Sequence, residues 1–131
     1  MYSGDRSYFP RDVQDIMAEV EAHPSAPDAP IVNLAMNYSG RAEILHACIA
    51  AANSGSVTKE AIESNLYTVG LPDPDMIIRT GGEKRLSNFL LYQAAYSELF
   101  FTDTLWPDFD QKELEAMFEE YSHRTRRFGK S

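Results

Sequence analysis

"PDPDMIIRTGGEKRLSN", residues 72–88, sets a compact apolar run against a glycine pair and a cluster of cations. The run Met76, Ile77, Ile78 is bounded upstream by prolines and aspartates and reads as a short strand that ends at Arg79. Gly81 and Gly82 follow at once, then Glu83, Lys84 and Arg85, with Ser87 standing ahead of a long apolar stretch. In α/β sheets ligands bind beyond the carboxyl ends of parallel strands, and this loop would occupy such a place. Whether it does depends on what the rest of the chain builds.

Working outward, strands and helices alternate. Val13, Ile16, Met17 and Val20 recur at helical spacing between Pro10 and His23, and the proline-rich "PSAPDAP" (residues 24–30) stops that helix. "IVNLAM" (31–36) is apolar on both faces except at Asn33, which predicts an interior strand. After "NYSG", a helical stripe resumes with Ile44, Leu45, Cys48, Ile49 and Ala52, and a short helix is expected after Thr58 with Ile62 and Leu66 on its inner side. Ser87 predicts the cap of a helix through "NFLLYQAAYSELFF" (88–101). "WPDF" is turn-like, and Asp110 with Glu113 forms a capping signature for a last helix bearing Leu114, Met117, Phe118 and Tyr121. The pattern implies an α/β fold, a parallel sheet flanked by helices, as a single domain over residues 1–131.

The totals set bounds on function. Among 131 residues, 44% are apolar and 24% charged, as in an ordinary globular domain, and the net charge is -8. That acidity argues against nucleic acid and against an anionic membrane surface as general partners. Any anion the chain binds must be held locally. Cys48 is the lone cysteine, so no intrachain disulfide can form, which fits a reducing cytosol. No run approaches the ~18 apolar residues of a membrane span, and "MYSGDRSYF" lacks a signal-peptide core, so a cytoplasmic protein is expected.

The cationic loop supplies local anion chemistry. Adjacent glycines permit positive φ and close backbone approach, so the amides of Gly81 and Gly82 are expected to point at an anion, aided by the following helix terminus. Arg79 and Arg85 each offer a planar fork to phosphate oxygens, and Ser87 a hydroxyl. The set suits a diphosphate. A glycine turn with solvated charges would look the same, but Arg79 ends an apolar strand, where an unpaired cation is costly. Glu83 either orients an arginine or balances charge.

"NLAMNYSGRAEILHA", "PDPDMIIRTGGEKRLSNFLLYQAAYSELFFTDTLWPDFD" and "RRFG" together resemble the cis-prenyltransferases, the undecaprenyl diphosphate synthase family, from about Gly4 to Gly129. The resemblance implies a parallel sheet flanked by helices and a Mg²⁺-dependent reaction in which isopentenyl diphosphate extends an allylic prenyl diphosphate with a cis double bond. It implies that Arg79, Arg85 and Ser87, with Gly81, Gly82 and Glu83 in the same motif, bind isopentenyl diphosphate. It assigns Glu98 as the magnesium-linked glutamate, and Arg127 with Gly129 as the Arg-x-Gly element that reaches a neighbouring subunit's substrate. Without it, Glu98 reads as a solvated carboxylate at a helix end, the tail as a frayed terminus, and Trp106 as packing.

The family's Asp-Gly-Asn-x-Arg loop, with the catalytic aspartate, is not found in these residues. The chain therefore resembles the C-terminal half, carrying the isopentenyl diphosphate half-site and not expected to turn over alone, so no catalytic residue is assigned. A sheet without its preceding strands would leave an edge and an apolar face bare, which predicts a homodimer or a heteromer with a chain supplying the N-terminal half. Peripheral membrane association through a lipid product follows from the same resemblance. Two alternatives stand beside the half-site: a subunit of a heteromeric cis-prenyltransferase, and a non-enzymatic diphosphate-binding or dimerisation module.

Overall fold

The helix starts at Ser39, Thr58 and Asp110 are set by side chains that replace missing backbone partners. Ser39 caps α2 (Gly40–Asn53) by accepting the Ala42 N–H at 3.2 Å, and Thr58 caps α3 (Lys59–Glu63) by accepting that of Ala61 at 3.2 Å. The computed structural model describes residues 1–24 and 26–125, which cluster into two compact units, Met1–Leu71 and Pro72 onward.

In the first unit, β1 (Tyr2–Ser3) pairs in parallel with β2 (Leu34–Ala35), Tyr2 opposite Leu34 and Ser3 opposite Ala35. Between them runs α1 (Arg11–Ala22), the amphipathic helix expected from its spacing, with Met17 buried. Glu21 near its end takes a forked pair of bonds from Arg6, at 2.7 and 2.8 Å, and also accepts the Tyr2 N–H at 2.8 Å. The Arg6 hydrogen bond, helped by the Tyr2 amide, holds the Glu21 carboxyl below its ordinary pKa, so the clasp is an ionised one. Gly4 passes so close to β2 that any Cβ would collide with the Met36 carbonyl, and its φ of 122° is open only to glycine.

The predicted interior strand at 31–36 is not one. Only Leu34–Ala35 pairs, and Ile31, Val32 and Leu34 are 66%, 67% and 48% exposed. With two strands in its sheet, β2 is an edge, and a run apolar on both faces leaves one face bare.

The first unit's core holds Met17, Ala47, Ala51 and Leu66 around an acid. Glu43, on the first turn of α2, is fully buried, and its carboxylate accepts the Tyr67 N–H at 2.8 Å and the Tyr38 hydroxyl. A buried carboxylate is tolerated only when so bonded. Cys48 on the same helix is half-buried.

In the second unit, β3 (Met76–Arg79) pairs in parallel with β4 (Glu98–Phe101), Ile77 opposite Leu99 and Arg79 opposite Phe101. Parallel pairing and alternating elements match the α/β expectation. The helix predicted through 88–101 is replaced by turns, a 3₁₀ turn at Gln93–Tyr96, and β4 itself. Ser87, Asn88 and Leu90 carry φ of 47°, 68° and 44°, left-handed values that no right-handed helix can include, so Ser87 caps nothing. The apolar "ELFF" is satisfied by pairing with β3, which buries Phe100 and Ile77. α4 (Gln111–His123) begins as expected, Asp110 accepting the Glu113 N–H at 2.9 Å, and buries Met117. Among the described residues no helix is long and apolar enough to cross a membrane.

Replacing Glu43 by alanine removes the acceptor of the half-buried Tyr67 amide, and the full cost of an unsatisfied buried donor, about 1–3 kcal/mol, is the upper bound for that loss. Urea titration of Glu43→Ala is expected to show that loss, and Tyr38→Phe, which leaves the Tyr67 bond in place, a smaller one.

Candidate functional site

The strand β3 delivers Arg79 at its carboxyl end, and the loop beyond it folds back so that Arg85 and Ser87 meet it. Arg79 donates from Nη1 to the Ser87 hydroxyl at 2.8 Å and to the carbonyl of Arg85. Arg79, Arg85 and Ser87 line one cavity of about 310 Å³, whose remaining wall includes Ile77, Ile78 and Phe89. The sequence-predicted anion ligands therefore converge, beside an apolar surface. Glu83 pairs with Arg85, a contact that serves either of its expected parts, orienting an arginine or balancing charge.

The glycines play a different part from the one expected. Gly81 and Gly82 do take positive φ, 86° and 80°, but their amides are already committed. Gly81 N–H donates to the carbonyl of Thr104 at 2.9 Å and Gly82 N–H to that of Thr102 at 2.8 Å, while Thr102 N–H returns a bond to the Arg79 carbonyl at 3.0 Å. Donors spent on backbone carbonyls do not face an anion. The glycines instead carry the β3–β4 ladder past the end of both strands, and so aim the side chains that follow.

Arg79 and Arg124 show how differently two cations can be placed. Among the described residues the acceptors that Arg79 meets are a carbonyl and a hydroxyl, both neutral, so no carboxylate among them offsets its charge. Arg124, just past α4, is bonded to Glu120 and, at 2.7 Å, to Glu98, and lies 4.0 Å over the ring of Phe100. Glu120 first and Glu98 second hold its guanidinium above its ordinary pKa. Glu98 is thus neither at a helix end nor simply solvated: it opens β4 with its Oε2 on Arg124. Among the described residues no group of three or more His, Cys, Asp or Glu is placed to hold a metal ion. A magnesium ion needs several oxygens, and one glutamate already engaged by an arginine does not make such a site. Trp106 is 76% exposed and stacks on Phe109 at 6.3 Å between ring centres. Arg127 and Gly129 lie outside the described residues.

A strand end, an arginine loop tied back by a glycine pair and an apolar-walled cavity make up the candidate site, and comparison with known proteins gives the chain its family. The family model described as "Putative undecaprenyl diphosphate synthase" matches residues 1–129. This chain belongs to that family. Isoprenyl transferases of Streptococcus mutans and Porphyromonas gingivalis are 48% and 47% identical to it, over 96% and 98% of the chain and 55% and 54% of their own lengths. A solved "probable undecaprenyl diphosphate synthase" from Campylobacter jejuni superposes with a TM-score of 0.89 at 36% identity, covering 99% of this chain and 62% of that one. Lavandulyl diphosphate synthase from Lavandula x intermedia, solved in complex with dimethylallyl diphosphate, gives 0.88 at 33% identity, over 99% and 60%. The chain spans about half the length of the curated relatives it matches.

Within this prenyl diphosphate synthase family member, the sequence reading missed the supports. Arg124 was legible only as part of a basic tail, although its spacing of four from Glu120 is a helix-face signal. Thr102 and Thr104 carry no local pattern for this part, because the glycine amides whose bonds they accept lie about twenty positions earlier in the chain.

The two glycines should differ in their tolerance of alanine. Both would put an L residue in a left-handed conformation at about 1–2 kcal/mol. A Cβ at Gly82 would also press on Asp103 Oδ1 at 3.2 Å, whereas the nearest atom to one at Gly81 is Leu105 Cδ2 at 4.0 Å. Chemical denaturation is expected to rank Gly82→Ala as the more destabilising of the two.

Proposed function

We propose that this chain carries the isopentenyl diphosphate half-site of a cis-prenyltransferase. Arg79, Arg85 and Ser87 bind the diphosphate, and the apolar wall of Ile77, Ile78 and Phe89 takes the five-carbon unit. The observation that carries the reading is the convergence of these side chains on one cavity, with Arg79 bonded there to neutral acceptors among the described residues. A diphosphate fits that arrangement because planar guanidinium forks match phosphate oxygens and a hydroxyl adds a directed donor. Glu83 keeps Arg85 turned towards the loop, and Gly81 with Gly82 set its path.

In the whole enzyme the carbon–carbon bond forms between the allylic carbon and isopentenyl diphosphate. The allylic diphosphate leaves as pyrophosphate, and the new prenyl chain loses one proton as its cis double bond forms. This chain's contribution is to hold the nucleophilic reactant in place, which lowers the barrier by orientation. Magnesium supports the departure of the allylic diphosphate when bound. Glu98 is the carboxylate we assign to it from this chain, but its engagement with Arg124 and the lack of companion ligands among the described residues leave no metal step to derive from these residues. Arg127 and Gly129 are assigned to a neighbouring subunit's substrate.

Two observations bear on partners. The chain spans about half its relatives' length, and Ile31 and Val32, just before the edge strand β2, are exposed together with its Leu34. We assign that face to the polypeptide that supplies the allylic site, in a homodimer or heteromer, with the assembly cytoplasmic and meeting membranes only through its lipid product. No observation favours a non-enzymatic module over this reading.

Calorimetry with isopentenyl diphosphate tests the half-site. Arg79→Ala should weaken binding by roughly 1.5–3 kcal/mol, the range for hydrogen bonds to charged groups. An unchanged affinity would place the arginine outside the site. Incubation of the purified chain with farnesyl diphosphate, isopentenyl diphosphate and Mg²⁺ should yield binding without product. Product formed by these 131 residues alone would overturn the half-site reading.

A further inference from the structure

The turn that receives the glycine amides is itself held from α4. Glu113 lies in the first turn of that helix, where the Asp110 signature would have its carboxylate reach back to the cap. It reaches elsewhere. Its Oε1 accepts the hydroxyls of Thr102 and Thr104, the latter at 3.3 Å, and Thr102 Oγ1 accepts the Thr104 N–H at 3.1 Å, which closes the turn. The carbonyls of these same threonines are the acceptors of the Gly82 and Gly81 amides, at 2.8 and 2.9 Å. A continuous path of hydrogen bonds therefore runs from α4 through the threonine turn to the loop that carries Arg85 and Ser87.

We infer that Glu113 is a positioning residue for the arginine loop: it touches no substrate, and through Thr102 and Thr104 it fixes where the Gly81–Gly82 turn sits and hence where the diphosphate-binding side chains point. The inference rests on the diphosphate reading of that loop. Two plainer roles exist for an acid at this place, a favourable charge at the helix start and a local cap. The cap is already made by Asp110. The charge makes an opposite prediction. A carboxylate near an anion site repels the anion, so its removal by itself would tighten binding. Loss of positioning loosens it.

Hydrogen exchange and calorimetry on the full 131-residue chain separate these roles. Glu113→Ala is expected to speed amide exchange at Gly81 and Gly82 about tenfold, with the β3 amides unchanged, and to weaken isopentenyl diphosphate binding about tenfold. Glu113→Gln keeps an Oε1 acceptor without the charge and should restore both to within about twofold of the parent. Thr102→Val removes the hydroxyl at nearly constant volume and should reproduce the alanine result, which carries the test if Glu113→Ala does not fold. Unchanged exchange at the glycines, or equal or tighter binding by Glu113→Ala, would overturn the inference. A parent chain that binds no isopentenyl diphosphate would overturn the diphosphate reading instead, while the glycine exchange rates would still decide whether Glu113 holds the loop.

Discussion

The parallel pairing of β3 with β4, prolonged by Gly81 and Gly82 onto the carbonyls of Thr104 and Thr102, is the constraint on which the candidate site depends. A glycine-rich loop left to itself is the most mobile kind of backbone, because glycine has the most conformational freedom to lose. In this chain that freedom is used to reach a left-handed turn, and each amide is then spent on a carbonyl. The cost of ordering the loop is offset by bonds made below the site, so the arginines above it need not be ordered by their ligand. A ligand that meets an ordered site gives up less of its interaction energy to ordering.

The charge distribution follows the same division. The protein is acidic as a whole, with a net charge of -8, and several of its arginines are bonded to carboxylates: Arg6 to Glu21, Arg124 to Glu98 and Glu120, and, within the candidate site, Arg85 to Glu83. Arg79 meets neutral oxygens instead. At physiological ionic strength charges are screened over about 8 Å, so a cation at a strand end can bind an anion at contact range whatever the distant surface carries. An acidic protein with a cationic pocket is therefore no contradiction, and the acidity limits weak, long-range association with other polyanions.

Much of the fold was legible because much of it is local. α1 and α2 follow from periodic apolar stripes, α3 from the short apolar pattern after Thr58, α4 from the Asp110–Glu113 capping signature, and β3 from a short apolar run behind prolines. The helix expected through 88–101 was wrong for a reason that no local pattern carries. "NFLLYQAAYSELFF" suits a helix by composition, but its second half is the neighbour that β3 needs, and pairing with a distant strand outweighs propensity. "IVNLAM" failed in the opposite direction: its apolar character calls for covering on both faces, and the sheet around it has two strands.

The sequence by itself determined which side chains come together: Arg79, Arg85 and Ser87 share one short segment, and a loop that leaves a strand end keeps such neighbours close, so that they line one cavity. The family and its chemistry were readable for the same reason, since that motif is contiguous. What the tertiary structure alone decided is how the loop is held. The glycine amides turn away from the site to the threonine turn, Glu113 reaches that turn from another helix, and Arg124 closes on Glu98 across 26 residues. These are bonds between groups far apart in the chain, and a hydrogen bond is specified by where two atoms arrive, which only the folded backbone sets.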